Sequence, residues 1–173
     1  MDPMDGFEIP VPPITPSEIY IFDVLFEAMS KEHRQILCLR DGQTLRSMDE
    51  IAAILRINVD EMNKRYEEAA AMITDRVTQL FIGLLHHLES GITPEMHPCE
   101  LAWASERWHK MPDEYKAVFV LDRQKGRSVA DIASALGLRE KEIIALQTEI
   151  EQHLKFEAGA LSTRVLYHET RQQ

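Results

Sequence analysis

Three consecutive polar side chains, Asn63, Lys64 and Arg65, have the chemistry needed to contact nucleic acid. Lysine and arginine bind phosphate oxygens and the acceptor edge of guanine, and the asparagine amide can pair with adenine. Arg40 and Arg46, which lie earlier in the chain, could add contacts to flanking phosphates. These five residues therefore form a first candidate set for DNA binding.

The surroundings of this triplet are acidic. Four carboxylates lie close to it along the chain, at Asp60, Glu61, Glu67 and Glu68, and they would repel phosphate. The 173 residues carry a formal net charge of −10, which disfavours non-specific attraction to nucleic acid. Residues 1–91 hold 16 acidic and 8 basic side chains (−8), and residues 92–173 hold 13 and 11 (−2), so neither half is a basic domain. A solvated, charged helix face is the alternative interpretation of the triplet.

A second set of basic residues lies further along the chain, at Arg123, Lys125, Arg127, Arg139 and Lys141. These side chains could hold phosphates or an acidic protein partner. The residues that follow them, Ile144, Ala145 and Leu146, are apolar. An exposed apolar strip on a helix more often marks a protein contact, so these three residues are predicted to form a protein interface.

Helical periodicity dominates the chain and no alternating strand segment is present, so the predicted fold class is all-α. Residues 1–14 are acidic and rich in proline, and a flexible tail is expected there. Residues 15–91 are predicted to form a first helical unit with a long connecting helix, and residues 92–160 a second unit. A C-terminal tail is expected over residues 161–173.

Capping residues predict where the helices begin. The candidates are Thr15 before Pro16, then Ser30, Ser47, Asn58 and Ser128. Each is a serine, threonine or asparagine that could accept a backbone N–H in the first helical turn. The helix after Asn58 is expected to reach about Leu88 as a connecting strut, and the helix beginning at Arg139 is expected to end near Glu157.

Parts of the first half of the chain recur in the second half. The matches pair "EHRQILCLRD" (32–41) with "EYKAVFVLDR" (114–123), and "DEIAAILRI" (49–57) with "ADIASALGL" (130–138). Matched positions are apolar at helical spacing, and a small alanine, Ala52 or Ala133, stands where two helices would cross closely. The chain is therefore predicted to contain a duplicated helix-turn-helix unit.

The second copy of this repeat, "MPDEYKAVFVLDRQKGRSVADIASALGL", resembles the fourth region of bacterial sigma factors, especially the extracytoplasmic-function type. That family has a short Leu-Pro segment, an apolar helix ending near arginine, a glycine-containing loop and "S-x-x-E-I-A-x-x-L-G-I". "MSKEHRQILCLRDGQTLRSMDEIAAILRI" is similar, with one extra loop residue. Arg56 replaces the turn glycine of the family, and a left-handed arginine there is expected to cost about 1 kcal/mol.

The resemblance implies that the helix after each turn enters the major groove of DNA. Met62 and Ile143 fall on a buried valine of the family, and Arg65 falls on its arginine. Nothing in the chain resembles the second region, which in sigma factors binds core polymerase and melts the promoter. A complete sigma factor is therefore not expected, and the chain is similar to two fourth regions in tandem.

The leading hypothesis is a sigma-factor-like transcriptional regulator that binds DNA, the transcription machinery or both. The alternative is an interaction module that has lost DNA reading and binds RNA polymerase, a sigma factor or an anti-sigma factor. A third interpretation is a homodimer whose second units pair while its first units span two DNA half-sites.

No enzyme activity is expected, because the chain has neither a glycine-rich phosphate loop nor a nucleophile elbow. No cofactor or metal is expected either, since the spacing of His86, His87, His97 and Cys99 matches no compact zinc motif. The sequence has no apolar run of membrane-spanning length and no secretory signal. The cytoplasm is the expected compartment.

Overall fold

The computed structural model describes residues 13–42, 46–91 and 96–171, and within these ranges the protein is all-helical, as predicted. The α-helices of this part of the chain are α1 (Pro16–Ala28), α2 (Lys31–Asp41), α3 (Met48–Leu55), α4 (Val59–Ser90), α5 (Pro98–Lys110), α6 (Asp113–Phe119), α7 (Val129–Leu136) and α8 (Glu140–Arg171). A π-helical turn, Val120–Gln124, continues α6.

The helices begin where the capping residues predict. The Thr15 hydroxyl accepts a hydrogen bond from the Glu18 backbone N–H, and the Glu18 carboxylate accepts one from the Thr15 N–H, at 3.2 and 3.3 Å. Single side-chain caps at Ser30, Ser47, Asn58 and Ser128 open α2, α3, α4 and α7. Each cap satisfies a backbone donor that the helix itself leaves unpaired, so short local patterns fix these boundaries.

The turn between α3 and α4 contains a strained residue. Arg56 has φ 57° and ψ 41°, the left-handed conformation that the sequence predicts. Gly137 has φ 67° at the matching turn between α7 and α8. At the first turn, Arg56 therefore adopts a left-handed conformation that glycine would adopt without steric cost.

The internal repeat extends through the whole described chain. Helices α1 and α5 each have 13 residues, α3 and α7 each have 8, and α4 and α8 each have 32. Adding 82 to a residue number in α1 or α2, or 81 in α3 or α4, gives the equivalent position in the second half. Within the described residues, the match in helix order and length therefore includes α1 and α5, which lie outside the segments matched by sequence.

The two halves share one hydrophobic core. Helix α4 packs along α8 and α1 packs against α5, while α4 also contacts α5 and α1 contacts α8. The central buried side chains on the two long helices are Ile73, Val77, Phe81, Leu84, Leu154, Leu161 and Val165. Helix α4 is therefore a core element of both halves, rather than the strut expected from its length.

The prediction for the C-terminus is wrong. Helix α8 continues to Arg171 instead of ending near Glu157, and no tail begins at residue 161. Leu161, Val165 and Leu166 are buried, because this part of α8 packs against other helices of the shared core. Most of the expected N-terminal tail, residues 1–12, lies outside the described residues.

The strain at Arg56 gives a stability prediction. Arg56→Gly is expected to raise the free energy of unfolding by about 1 kcal/mol, because glycine removes the Cβ clash of the left-handed conformation. Arg56→Ala removes the same charge but keeps the clash, so it is the matched control and should give no such gain. Urea denaturation followed by circular dichroism measures both. Equal stability of the two variants would show that the backbone at this turn is not strained.

Candidate functional site

The Asn63–Lys64–Arg65 triplet lies in the second turn of α4. Met62 is fully buried beneath it, in a small cluster with Ile51 and Ala52 of α3. Lys64 is exposed, and Asn63 and Arg65 are half-buried. The cluster fixes the rotation of α4 against α3, so Lys64 faces solvent while its two neighbours are partly covered.

Two of the four acidic neighbours of the triplet, Glu61 and Glu68, are bonded to nearby basic side chains. The Arg65 Nε lies 3.0 Å from Glu61 Oε1, one helical turn away. The His33 Nε2 lies 2.9 Å from Glu68 Oε2, and this hydrogen bond is the main cause of the lowered pKa of Glu68, to which Lys64 and Arg65 also contribute. Glu61 therefore competes with a phosphate or base for Arg65.

Arg40 and Arg46 are brought together at the end of α2. The Arg40 Nη1 donates to the Arg46 carbonyl oxygen at 3.4 Å, and both side chains are half-buried. The Tyr66 hydroxyl, directly after Arg65, donates to the Asp41 carboxylate at 3.1 Å. This bond ties the end of α2 to the second turn of α4, so the two parts of the first candidate set lie near each other.

Most of the second basic set is used inside the protein. The Arg123 Nη2 lies 3.0 Å from Glu151 Oε2, and Lys125 Nζ lies 2.7 Å from Glu89 Oε1. Arg139 pairs with Glu142 at 3.1 Å. Within the described part of the chain, the exposed side chains of Arg127 and Lys141 make no ion pair.

Two of these ion pairs lower the pKa of the acidic partner. A hydrogen bond from Lys125 lowers the pKa of Glu89. Hydrogen bonds from the Arg139 side chain and backbone lower the pKa of Glu142. Because all four side chains are exposed or nearly so, solvent screens these pairs and they stabilise the fold only weakly. Their consequence is electrostatic, since each cation already has a neighbouring anion.

The predicted apolar strip of α8 divides between solvent and core. Ile144 is 53% exposed, and Leu146 is half-buried and packs against the core. Ala145 and Leu146 line a groove of about 520 Å³ whose other apolar walls are Ala117, Val118, Leu136 and Leu138. Three carboxylates also line it, at Glu114, Glu142 and Glu149. The apolar surface is thus a groove between α6, the α7–α8 turn and α8, with Ile144 exposed nearby on α8.

The sequence prediction missed two parts of this groove. Leu138, 40% exposed, follows the turn glycine and matches Ile57, so its apolar character alone does not distinguish it from a core residue. Ala117 and Val118 lie on α6, whose position relative to α8 is decided by packing. The structure therefore adds Ala117, Leu136 and Leu138 to the lining of the predicted protein interface, with the buried Val118 beneath them.

The triplet and the apolar strip occupy equivalent positions in the two halves. With the offset of 81, Asn63, Lys64 and Arg65 match Ile144, Ala145 and Leu146 in order. The residues that precede the two triplets, Met62 and Ile143, also match, and both are fully buried. The same surface of the repeated unit is thus polar and basic in one half and apolar in the other.

No metal site is formed in the described part of the chain, where no three histidine, cysteine or carboxylate side chains are grouped to hold an ion. His97 instead caps α5, and its Nδ1 accepts a hydrogen bond from the Cys99 N–H at 3.1 Å. Among the described helices, none combines the length and apolarity required to cross a membrane.

Comparison with known proteins gives no further assignment. No protein-family model, curated protein or solved structure matches the chain.

The Lys125–Glu89 pair gives a test of how strongly the second basic set is held. Lys125→Met is expected to raise the pKa of Glu89 towards its ordinary value, because the hydrogen bond that lowers it is lost. Lys141→Met removes an equal charge that has no such bond and should leave Glu89 unchanged. Carboxyl ¹³C shifts followed against pH by NMR report both. An unaltered Glu89 titration in Lys125→Met would show that Lys125 faces solvent and is available to phosphate.

Proposed function

We propose that this chain is a transcriptional regulator built from two helix-turn-helix units that resemble the fourth region of sigma factors. In this proposal the first unit contacts DNA through α4, and the second unit docks on a protein of the transcription machinery. The proposal combines the sequence resemblance with the different chemistry that the two halves place at one equivalent surface.

The observation that carries the proposal is the replacement of Asn63, Lys64 and Arg65 by Ile144, Ala145 and Leu146 at matching positions. Each triplet follows a buried residue that packs under the preceding helix, so each lies near the N-terminus of its long helix, with the middle residue, Lys64 or Ala145, exposed. Polar, basic residues suit phosphates and base edges. Apolar residues beside a groove suit a protein side chain.

The energy of the Arg65–Glu61 ion pair, compared with that of an arginine–guanine contact, favours transfer of Arg65 from Glu61 to DNA. An exposed arginine–glutamate pair such as Arg65–Glu61 is worth about 0–1 kcal/mol. A bidentate contact from arginine to guanine contributes about 1–3 kcal/mol of discrimination. Lys64, Arg40 and Arg46 would hold phosphates and set the orientation, and Asn63 would approach an adenine. The local carboxylates keep non-specific binding weak, because they oppose phosphate everywhere on the duplex.

A binding titration against DNA enriched by the protein from a pool of genomic fragments tests this function. Lys64→Glu with Arg65→Glu should abolish specific binding, because it removes a phosphate contact and a base contact and adds repulsion. Glu61→Gln should instead strengthen binding, since it frees Arg65 without removing a basic residue.

The matched control places the same charge change in the second half, as Arg127→Glu with Lys141→Glu. It should leave the preferred DNA sequence unchanged. Unaltered binding by the Lys64/Arg65 variant, with its fold verified by circular dichroism, would remove the assignment of DNA reading to α4.

A second candidate function is a protein-interaction module that has lost DNA reading. The ion-paired state of Arg65, Arg123, Lys125 and Arg139 and the net charge of −10 favour it. The groove beside Ile144 would be its binding surface. RNA polymerase, a sigma factor or an anti-sigma factor would be the partner, bound through an apolar side chain inserted between α6 and α8.

The groove is tested by Ile144→Asp with Leu138→Asp. Both side chains are partly exposed, so the change should leave the fold intact and abolish capture of polymerase, sigma or anti-sigma protein in a pull-down. Leu88→Asp, at a 65% exposed leucine of α4, is the control and should retain the partner. Equal capture by both variants would exclude the groove as the docking surface. Light scattering on the same samples shows whether the bound protein is instead a second copy of the chain.

A further inference from the structure

A second cavity, which shares no residue with either candidate surface, lies where α2, α4 and α8 meet. It has a volume of about 520 Å³. Its buried floor is formed by Leu37, Ile73, Thr74, Ala158 and Ser162. Charged side chains line its more open parts, at Glu67, Asp75, Glu151 and Lys155. A volume of this size, with an apolar floor and a few polar groups, is typical of small-molecule sites.

The internal repeat explains why this space is open. Leu37 and Ser162, which line the cavity, are equivalent to Phe119 and Phe81 in the other half. There the two phenylalanines are fully buried and meet edge to face, with ring centroids 6.1 Å apart, in a cluster that includes Trp103 and Trp108. The same junction is thus filled by aromatic rings in one half and left hollow in the other.

Asp41 is the polar centre of the cavity. Its Oδ1 accepts a hydrogen bond from the Tyr66 hydroxyl and its Oδ2 accepts one from the Ser162 hydroxyl, both at 3.1 Å. Both donors are neutral, and among the described residues no cation lies within ion-pair distance of Asp41. The charge of Arg40 also lowers the pKa of Asp41, but without an ion pair, so this half-buried carboxylate has no directly bonded cation to offset its lost hydration.

The electrostatics of the two hydrogen-bonded groups agree with this geometry. Burial raises the pKa of Asp41, although the bonds from Tyr66 and Ser162 oppose the rise. Burial and the neighbouring Asp41 charge raise the pKa of Tyr66 to about 12. Ionised Asp41 is therefore a group that a cation entering the cavity would stabilise.

We propose that this cavity binds a small organic amine, with its ammonium group against Asp41 and its hydrocarbon body over Leu37, Ile73 and Ala158. The lining contains four carboxylates and one lysine, so the site favours a cation. Glu151 is already paired with Arg123, which leaves Asp41, Glu67 and Asp75 facing the ligand. The site uses none of the residues assigned to DNA or to the protein groove.

Calorimetric titration with tryptamine tests the proposal, with tryptophol as the neutral probe of the same shape. The full-length protein should bind tryptamine and should bind tryptophol at least tenfold more weakly, as expected for loss of a charge-assisted hydrogen bond. Asp41→Asn should weaken tryptamine binding by a similar factor while preserving the shape of the site. Absence of tryptamine binding, equal binding of the two probes, or full binding by Asp41→Asn would each overturn it.

Gly159 provides a matched pair of variants that leave Asp41 unchanged. A Cβ added at this wall residue meets nothing within 4 Å, so Gly159→Ala should fold and keep tryptamine binding. Gly159→Phe adds a ring at the cavity wall, one helical turn from Ser162, the equivalent of Phe81, and should abolish binding while the thermal unfolding transition remains cooperative. Retained binding in a folded Gly159→Phe protein would place the amine elsewhere and contradict the assignment.

Discussion

The packing of α4 along α8 is the constraint on which the rest of the structure depends. Each long helix packs against helices of both halves. Their buried residues, among them Val77, Phe81, Leu154 and Val165, belong to one cluster that also takes in α1 and α5. Burial of this apolar surface is the main stabilising term for the fold. The shared core also includes Ile143 at the start of α8, whereas the start of α4 is held by the separate cluster of Met62 with Ile51 and Ala52.

Two glutamates link local helix formation to this shared core. Glu18 and Glu100 each complete a capping box at the start of α1 and α5. Both are also buried partners of an arginine on a long helix, Arg164 for Glu18 and Arg76 for Glu100. Ionic groups held in this way specify one arrangement more than they add stability, because a shifted register would leave a carboxylate buried and unpaired. Glu18 and Glu100 therefore each help to start a helix and fix its position against a long helix.

Sequence reasoning succeeded where the signal is local and failed where packing decides. The starts of α1 to α4 and the left-handed Arg56 follow from caps and turn geometry within a few residues. The end of α8 does not, because Leu161 and Val165 belong to the core only through contacts with helices distant in sequence. The candidate triplet could be located from the sequence. The pairing of Lys125 with Glu89 and of Arg123 with Glu151 could not, because the partners lie far apart in the chain. The cavity at Asp41 likewise depends on three helices meeting.

The fusion of two equivalent halves in one chain has a consequence for how surfaces can differ. In a homodimer every substitution appears twice, so two symmetric faces must keep the same side chains. Here each position occurs once, and Phe81 can fill a junction that Ser162 leaves hollow, while Lys64 and Ala145 occupy matching exposed sites. The two halves contact each other through matching helix pairs, α1 with α8 and α5 with α4, but need not carry the same side chains. A single copy can thus present two unlike surfaces at a fixed separation, independent of protein concentration.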